Sequence, residues 1–438
     1  MDGRHLKTTL DLTRGELAIN GGMPVRRQIW KDNFSTGQEE KQAACRVFDS
    51  GYLSMFEGSH HPDAPFSFYG GPEVQHLERE WCDYYECEDA ISVNSATSGL
   101  YAAVGALGLG FGDEVIVSPY TMSACAMAPL IYGAIPVFAD VEECTGSLDP
   151  ESIKNRITPR TRAIIVVHQF GIPADMDKIM GLARENNLKV IEDCAQAHGA
   201  IYKSRPVGTI GDIGVFSLNV NKTIQSGEGG VCITNSKDLA YRLALIRNHG
   251  EAVVGPAGYE DIVNIAGFNY RLTELQAAIA REQLKKLDGL NAHRLNLVDK
   301  FTEELLGFRF LTAPVGREDC LSTYYVYPLI FDADEAGVSR EQFVAAVNAE
   351  GALFYQGYVC PIYLQPLYQK RTLFKNGYPF AAPENQHSKV SYRKGLCPIA
   401  EMLYYKQMII NEHIRFPHQT CDVDDLVVCI SKVASVKT

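Results

Sequence analysis

The chain has 12 cysteines but no Cys-x-x-Cys pair, and their spacing is irregular. That removes the zinc-ribbon and thioredoxin patterns. Cys125, Cys232 and Cys429 sit inside apolar runs, as buried free thiols do in a reducing compartment. A zinc site or a disulfide frame is the alternative. Basic residues are also in deficit: 41 Lys and Arg stand against 53 Asp and Glu, a formal net charge of −12. General nucleic-acid binding needs clustered cations to meet phosphates, so no nucleic-acid partner is expected. No uninterrupted apolar stretch is long enough to span a bilayer. The opening residues, MDGRHLKTTLDLTRGELA, lack the apolar core of a signal peptide. No membrane partner is expected, and the expected location is cytoplasmic. Internal repeats and low-complexity segments are missing too.

What the chain does have is length and alternation. Its 438 residues exceed one simple core and imply two domains. Short Val- and Ile-rich runs alternate with helix-like segments from about Glu73 to Lys237. DAISV, DEVIVS, IPVFAD, TRAIIVVHQF, LKVIED, GDIGVF and GVCIT read as strands. SATSGLYAAVGALGL, TMSACAMAPLIYG, DPESIKNRI and DMDKIMGLARENN read as helices between them. This is the pattern of βαβ units around a mainly parallel sheet. Residues 270–305 carry apolar residues at three- and four-residue spacing without proline, as one long helix or two in sequence. Beyond Thr312 the composition becomes α+β, with an aromatic, proline-bearing loop at 357–369. The expected division is a wrapping segment over 1–45, a large α/β domain over 46–290, and a small α+β domain over 291–438.

Ligands of an open parallel sheet bind beyond the carboxyl ends of its strands. Asp193 ends one such strand, His168 and Gln169 another. Lys222 lies in the polar turn SLNVNKTIQSGEGG, and Thr97 and Ser98 open a helix. Each has an ordinary reading. A strand-end aspartate or a Thr-Ser pair caps a helix, a lone histidine is a hydrogen-bonded core residue, and a loop lysine is solvated. Together they have one chemical meaning. Free N–H groups and the dipole at a helix start favour a phosphate. A buried carboxylate keeps a ring nitrogen protonated, and a lysine forms a Schiff base with an aldehyde. Phosphate, pyridinium and aldehyde are the handles of pyridoxal phosphate (PLP).

Several long motifs occur in one order: VNSATSGLYAAVGALGLGFGDEVIVSPYT, PVFADVE, VVHQFGIPADMDKI, VIEDCAQAHGA, GDIGVFSLNVNKTIQSGEGGVCIT and GFNYRLTELQAAIAREQLKKLD. They resemble the DegT/DnrJ/EryC1/StrS family of sugar aminotransferases, over roughly Phe68 to Leu287. The resemblance implies a three-layer, fold-type I PLP transferase with a mainly parallel central sheet and a smaller α+β C-terminal domain. It implies that Lys222 carries PLP as an internal aldimine and that the pyridoxamine phosphate form (PMP) appears in the half-reaction. Asp193 would pair with the pyridinium, and Gln196 would touch the ring's phenolic oxygen region. Thr97, Ser98 and Ser217 would bind the phosphate. Asn269 in GFNYR resembles a residue supplied by a second subunit, which implies a homodimer with shared active sites.

One departure concerns the residue that covers the ring. SPYTMS offers Met122 or Tyr120, where the family pattern has an aromatic just after the threonine. A family branch with histidine in place of the lysine performs dehydration; Lys222 places this chain with the transaminating members. Glutamate or glutamine is the implied donor. The acceptor is a keto-sugar, nucleotide-linked, or alternatively a keto-cyclitol such as scyllo-inosose, since ELAINGGMPVRRQIW resembles the opening of members acting on keto-cyclitols or related antibiotic precursors; CPIYLQPLYQ resembles a segment near the acceptor site, with core aromatics as its other reading. Lys203, Arg205 and Arg415 are the cations to examine at a nucleotide-binding mouth. A PLP-binding regulator without turnover, and a PLP-free α/β protein, are the alternatives of other classes. No metal is expected: His60 and His61 have no partnering ligands nearby in sequence and read as loop residues.

Overall fold

Seven strands gathered from residues 89–234 form the central sheet, in the order β1-β9-β8-β5-β4-β2-β3. A computed structural model describes residues 10–58, 65–255 and 258–434. In chain order, α1 (Gln38–Ser50) and α2 (Pro72–Tyr85) precede β1 (Asp89–Val93), α3 (Ala96–Ala106), β2 (Glu114–Val117), α4 (Ala124–Ile131) and β3 (Ile135–Phe138). Then come α5 (Pro150–Lys154), β4 (Thr161–Val167), α6 (Met176–Glu185), β5 (Lys189–Asp193), β6 (Ile201–Tyr202) and β7 (Arg205–Pro206). β8 (Ile213–Ser217), β9 (Gly230–Thr234) and α7 (Lys237–Arg247) close the large unit. Of the seven sheet strands only β9 runs against its neighbours, β1 and β8; the remaining pairs are parallel.

Both faces of the sheet are covered, which is why its strands are almost wholly apolar. Successive residues of a strand face opposite sides. Ile164 and Val166 of β4 accordingly join one core with Leu77, Ile179 and Ala277. Ile165 and Val167 join the other with Leu100, Leu130 and Leu243. The result is a helix–sheet–helix sandwich, as the sequence pattern implies.

The periodic stretch after residue 270 is two helices, α8 (Glu274–Leu284) and α9 (Leu287–Leu305). Thr273 starts α8 with a full capping box. α9 bridges two cores: Leu287 packs under the large sheet, while Leu297, Phe301 and Leu305 pack in the third core. The remaining elements are β10 (Leu311–Thr312), β11 (Cys320–Leu321), β12 (Tyr327–Phe331), α10 (Ala333–Ala336), α11 (Arg340–Ala349) and β13 (Tyr355–Gln356). They are followed by α12 (Pro366–Lys370), α13 (Pro398–Met402), β14 (Met408–Asn411) and α14 (Thr420–Ala434). β10, β12, β14 and β13 form an antiparallel sheet. α9, α11 and α14 contribute Phe301, Phe343, Leu426 and Ile430 to the core that covers it.

Two segments differ from the simple division at residues 45 and 290. Leu10 and Leu17 pack in the small-domain core, yet α1, which contains residue 45, packs Ala43 and Val47 on Ala278 of α8. Residues 358–404 belong to the large-sheet core, through Tyr363, Tyr368, Tyr392 and Leu403. They form a strap over the edge strand β3. Ile362 N–H donates to Pro119 O (2.8 Å) at one end of the sheet, and Asn385 Nδ2 reaches Gly133 O (2.8 Å) at the other. The Tyr392 hydroxyl returns to Pro136 O (2.8 Å) on β3 itself, and Phe138 is ringed by Tyr363, Tyr368 and Tyr392. An aromatic cover of this kind protects a strand edge from other chains. All twelve thiols are free, and no helix of the described residues is long and apolar enough to cross a membrane.

Candidate active site

The register of the sheet sets Val93, Ser217 and Gly230 side by side at one rim, with Asp193 and Val167 adjacent to each other along it. α3 starts at this rim. A side chain at Gly230 would collide with Ala96 N (2.7 Å) and Ser95 C (2.8 Å), so glycine there lets the helix start approach the sheet. Ser95 caps α3 by accepting from Ser98 N–H (3.1 Å), and the Ser98 hydroxyl donates to Asn94 Oδ1 (2.6 Å). Thr97 is exposed and Ser98 buried. Ser217 is buried across the rim and accepts from Asn219 N–H (3.3 Å).

Alternation along β5 sends its last two acids to opposite faces. Glu192 turns to the side of His168, and Asp193 to the side of α4. His168 is wholly buried: its Nδ1 accepts from Ala174 N–H (3.1 Å), so Nε2 carries the proton and donates to Glu192 (2.9 Å). Burial alone would raise the Glu192 carboxyl. The bond from His168 and those from Gly208 and Gly211 N–H outweigh it and hold the group below its usual range. His168 is therefore a core histidine. With Glu192 and Cys194 it forms a tight group, but its lone pair and proton are both engaged. Gln169, also wholly buried, has no partner for its amide. His60 and His61 lie outside the described residues.

Asp193 is 5% exposed. Its Oδ1 accepts from Ala195 N–H (3.0 Å) and its Oδ2 from the Cys125 thiol (3.0 Å). Burial, reinforced by Asp193, pushes the Cys125 pKa far up, so the thiol stays a proton donor. Gln196 is buried; its Oε1 accepts from Phe170 N–H (2.9 Å), and its Nε2 donates to Tyr358 Oη (3.2 Å).

Lys222 stands in the loop between β8 and β9. Val220 N–H to Gly227 O (2.9 Å) closes that loop, with Gly227 at φ +83°. Among the described residues its ammonium has neither an ion pair nor a hydrogen bond; it lies 4.4 Å from the centre of the Tyr325 ring. Burial lowers its pKa to about 8, opposed by Asp193 and assisted by Arg415. An ordinary surface lysine keeps its charge well beyond pH 9. We therefore expect covalent capture of free pyridoxal by the cofactor-free protein to rise through a midpoint near pH 8. Below that pH the amine is protonated and unreactive. A midpoint near 10.5, measured by rapid-mixing absorbance, would show an unperturbed lysine.

Three residues from beyond position 290, Tyr325, Arg415 and Arg294, lie around Lys222, and of these the sequence singles out only Arg415. The Tyr325 hydroxyl accepts from Asn221 Nδ2 (2.8 Å), and burial raises its pKa to about 12. Arg415 donates to Asn221 O (3.3 Å) and has no carboxylate at ion-pair distance among the described residues. Arg294 is buried on Thr223 Oγ1 (2.9 Å) and Thr323 O (3.2 Å), with its Nε unpartnered. Burial lowers both guanidinium groups, and Arg415 depresses Arg294 further. Glu412 opposes the fall at Arg415 without pairing to it, and two desolvated guanidinium groups that lack an ion pair among the described residues suit an anion.

The other expected residues separate. Tyr120 is wholly buried against Phe170 and Tyr358, whereas Met122 is 58% exposed. Asn269 is exposed; its backbone O lies 3.4 Å from Asn94 Nδ2 of the same chain, and its side chain accepts from Arg271 (2.9 Å). Lys203 is paired to Asp177 (2.6 Å), and Arg205 bonds Thr209 O (2.7 Å) on the β6–β7 hairpin.

Residues 66–389 match the DegT/DnrJ/EryC1/StrS aminotransferase family. The chain belongs to that family. Its members' cofactor is PLP, which the family thereby implies here. Spore coat polysaccharide biosynthesis protein SpsC of Bacillus subtilis is 33% identical over 347 residues, 77% of this chain and 85% of that protein. The L-glutamine:2-deoxy-scyllo-inosose aminotransferase of Streptomyces kanamyceticus is 30% identical over 434 residues, 97% of this chain and 98% of that protein. Among solved structures, the aminotransferase from Psychrobacter cryohalolentis superposes with a TM-score of 0.79 at 30% identity, covering 93% of this chain and 99% of that one. This family member is a PLP-dependent transaminase with the fold-type I architecture.

Proposed function

We propose that the chain moves the amino group of glutamine or glutamate to a ketone on a six-membered, hydroxyl-bearing ring, with Lys222 as the covalent anchor of PLP. One observation carries this reading: an unpaired, desolvated lysine amine stands at the strand rim beside the buried carboxylate of Asp193. When bound, PLP supplies an electron sink that lets an amino group change carriers. The residues present fit its three handles. Asp193 is placed to hold a proton at the ring nitrogen. The start of α3, with Thr97 and Ser98, and Ser217 across the rim suit a phosphate. Gln196 suits the phenolic oxygen, although Phe170 N–H and Tyr358 already engage its amide. Of the two residues weighed for the ring face, Met122 is the accessible one.

Once released as the anchor, Lys222 Nζ, whose pKa burial lowers, would take a proton from the donor's α-carbon and deliver it to the carbon that held the cofactor's aldehyde, so that the donor leaves as a keto acid. Arg415, backed by Arg294, takes the donor's carboxylate. Tyr325 shields the amine from water. The outward-facing Asn269 adjoins a loop through Asn248, whose Nδ2 bonds Glu57 O (2.6 Å) and Phe68 O (2.9 Å). Exposed Tyr52 and Phe66 contact each other edge to face nearby (6.0 Å). Exposed aromatics of this kind favour a second copy, and a homodimer would bring Asn269 to its partner's phosphate site.

A keto-cyclitol is the favoured acceptor. A relative matched along nearly its whole length is named for 2-deoxy-scyllo-inosose. Lys203 and Arg205 are engaged on the β6–β7 hairpin, which leaves Arg415 as the cation beside Lys222. A nucleotide-linked keto-sugar is the second reading. The aminated enzyme should convert keto-inositols at least about tenfold more efficiently than nucleotide-linked keto-sugars, one poorly matched contact being worth about 1.4 kcal/mol. The reverse order selects the second reading, and inactivity toward both classes contradicts the proposal.

A further inference from the structure

Along the β3 edge of the central sheet, apart from the Lys222 loop that follows β8, a cavity of about 490 Å³ lies between the β4 entry and the returning limb of the strap. Arg156, Arg160, Lys389 and Arg393 line it, against the single carboxylate of Glu114. That carboxylate is already engaged. It takes Arg160 Nε (3.1 Å) and Nη2 (3.0 Å), the Thr158 hydroxyl and the Ser388 hydroxyl (2.7 Å). Arg156 has only a carbonyl partner, Leu396 O (3.1 Å). The side chains of Lys389 and Arg393 have no ion pair or hydrogen bond among the described residues. Three uncompensated cations thus face one concavity on a chain of net charge −12, where apolar walls focus their field. Val137, Phe138 and Leu396 supply those walls. The Asn385 and Tyr392 anchors fix the limb that carries Lys389 and Arg393 against the sheet edge.

We propose that this cavity is a second, non-catalytic site for a small molecule with two adjacent phosphates on an apolar body, the chemistry of a nucleoside diphosphate. Two or three cations match a diphosphate, and the arginine forks suit its oxygens. The volume is that of a small-molecule site. The cavity runs along the β3 edge of the sheet, from Glu114 and Thr158 at the entries of β2 and β4 to Val137 and Phe138 at the end of β3, whereas Lys222 follows β8 in the interior of the sheet order.

The test is calorimetric titration of the PLP-loaded protein with uridine diphosphate and, separately, inorganic pyrophosphate. Lys389→Ala/Arg393→Ala should weaken both by at least about tenfold, the loss expected when a charged hydrogen bond to a phosphate is removed. It should leave transamination and the melting temperature unchanged, because both side chains are exposed and unpartnered. Arg415→Ala should leave this binding intact. Uridine diphosphate binding tighter than pyrophosphate supports the apolar floor, and equal binding overturns that part. No saturable binding, or binding lost with Arg415→Ala and kept in the double variant, overturns the site.

Discussion

Replacing Lys222 with alanine is expected to lower turnover by at least about 10⁴-fold, the upper end of what general acid–base catalysis contributes, and to remove covalent cofactor attachment. Two functions fall together, because the same Nζ is anchor and proton carrier. The fold should survive. The Lys222 ammonium has no hydrogen bond or ion pair among the described residues, and its loop is closed by backbone bonds, Leu218 N–H to Gly229 O (2.8 Å) and Val220 N–H to Gly227 O (2.9 Å). Removing a desolvated charge even lifts a burden on the native state. A melting temperature at or above that of the parent, with activity abolished, separates this result from unfolding. Activity within tenfold of the parent would exclude the proposed role.

The second large effect belongs to Asp193. Asp193→Asn keeps the shape and leaves an amide oxygen for Ala195 N–H, which Oδ1 now satisfies. It removes the negative charge needed to keep a ring nitrogen protonated. The expected loss in turnover is on the order of 10²–10³-fold, the size measured when one preorganised electrostatic contact is deleted from an active site. The cofactor should still attach at Lys222, with its absorbance changed and its affinity lowered. A variant that retains full turnover would assign Asp193 a structural role only. The Cys125 thiol bond to Oδ2 (3.0 Å) makes Cys125→Ala informative: as a positioning residue it should move the cofactor's absorbance more than the melting temperature.

Lys222 and Asp193 were legible in the sequence because they follow strands at the carboxyl rim, where local pattern and topology agree. The helices and strands of residues 89–247 were legible for the same reason: apolar period and caps such as Asp149 and Ser236 mark them. Other features depend on packing across the chain. His168 and Asp193 both end strands, yet His168 goes to the core and Asp193 to the rim pocket, because they point to opposite faces. Tyr120 and Met122 are two residues apart; only the contacts of Phe170 and Tyr358 bury one and leave the other open. Arg294, Tyr325 and Arg415 reach Lys222 from far along the chain through the meeting of two units, and no spacing encodes that. The strap over β3 is rich in aromatics and proline and has no helical or strand period, so its place on the large sheet shows only in three dimensions.

Lys222 is the residue expected to bind the cofactor covalently. Borohydride reduction of the PLP-loaded protein, followed by peptide mass mapping, tests this most directly. The expected result is a single pyridoxyl group, on the peptide containing Lys222; a label elsewhere, or none on a PLP-saturated protein, would contradict the assignment.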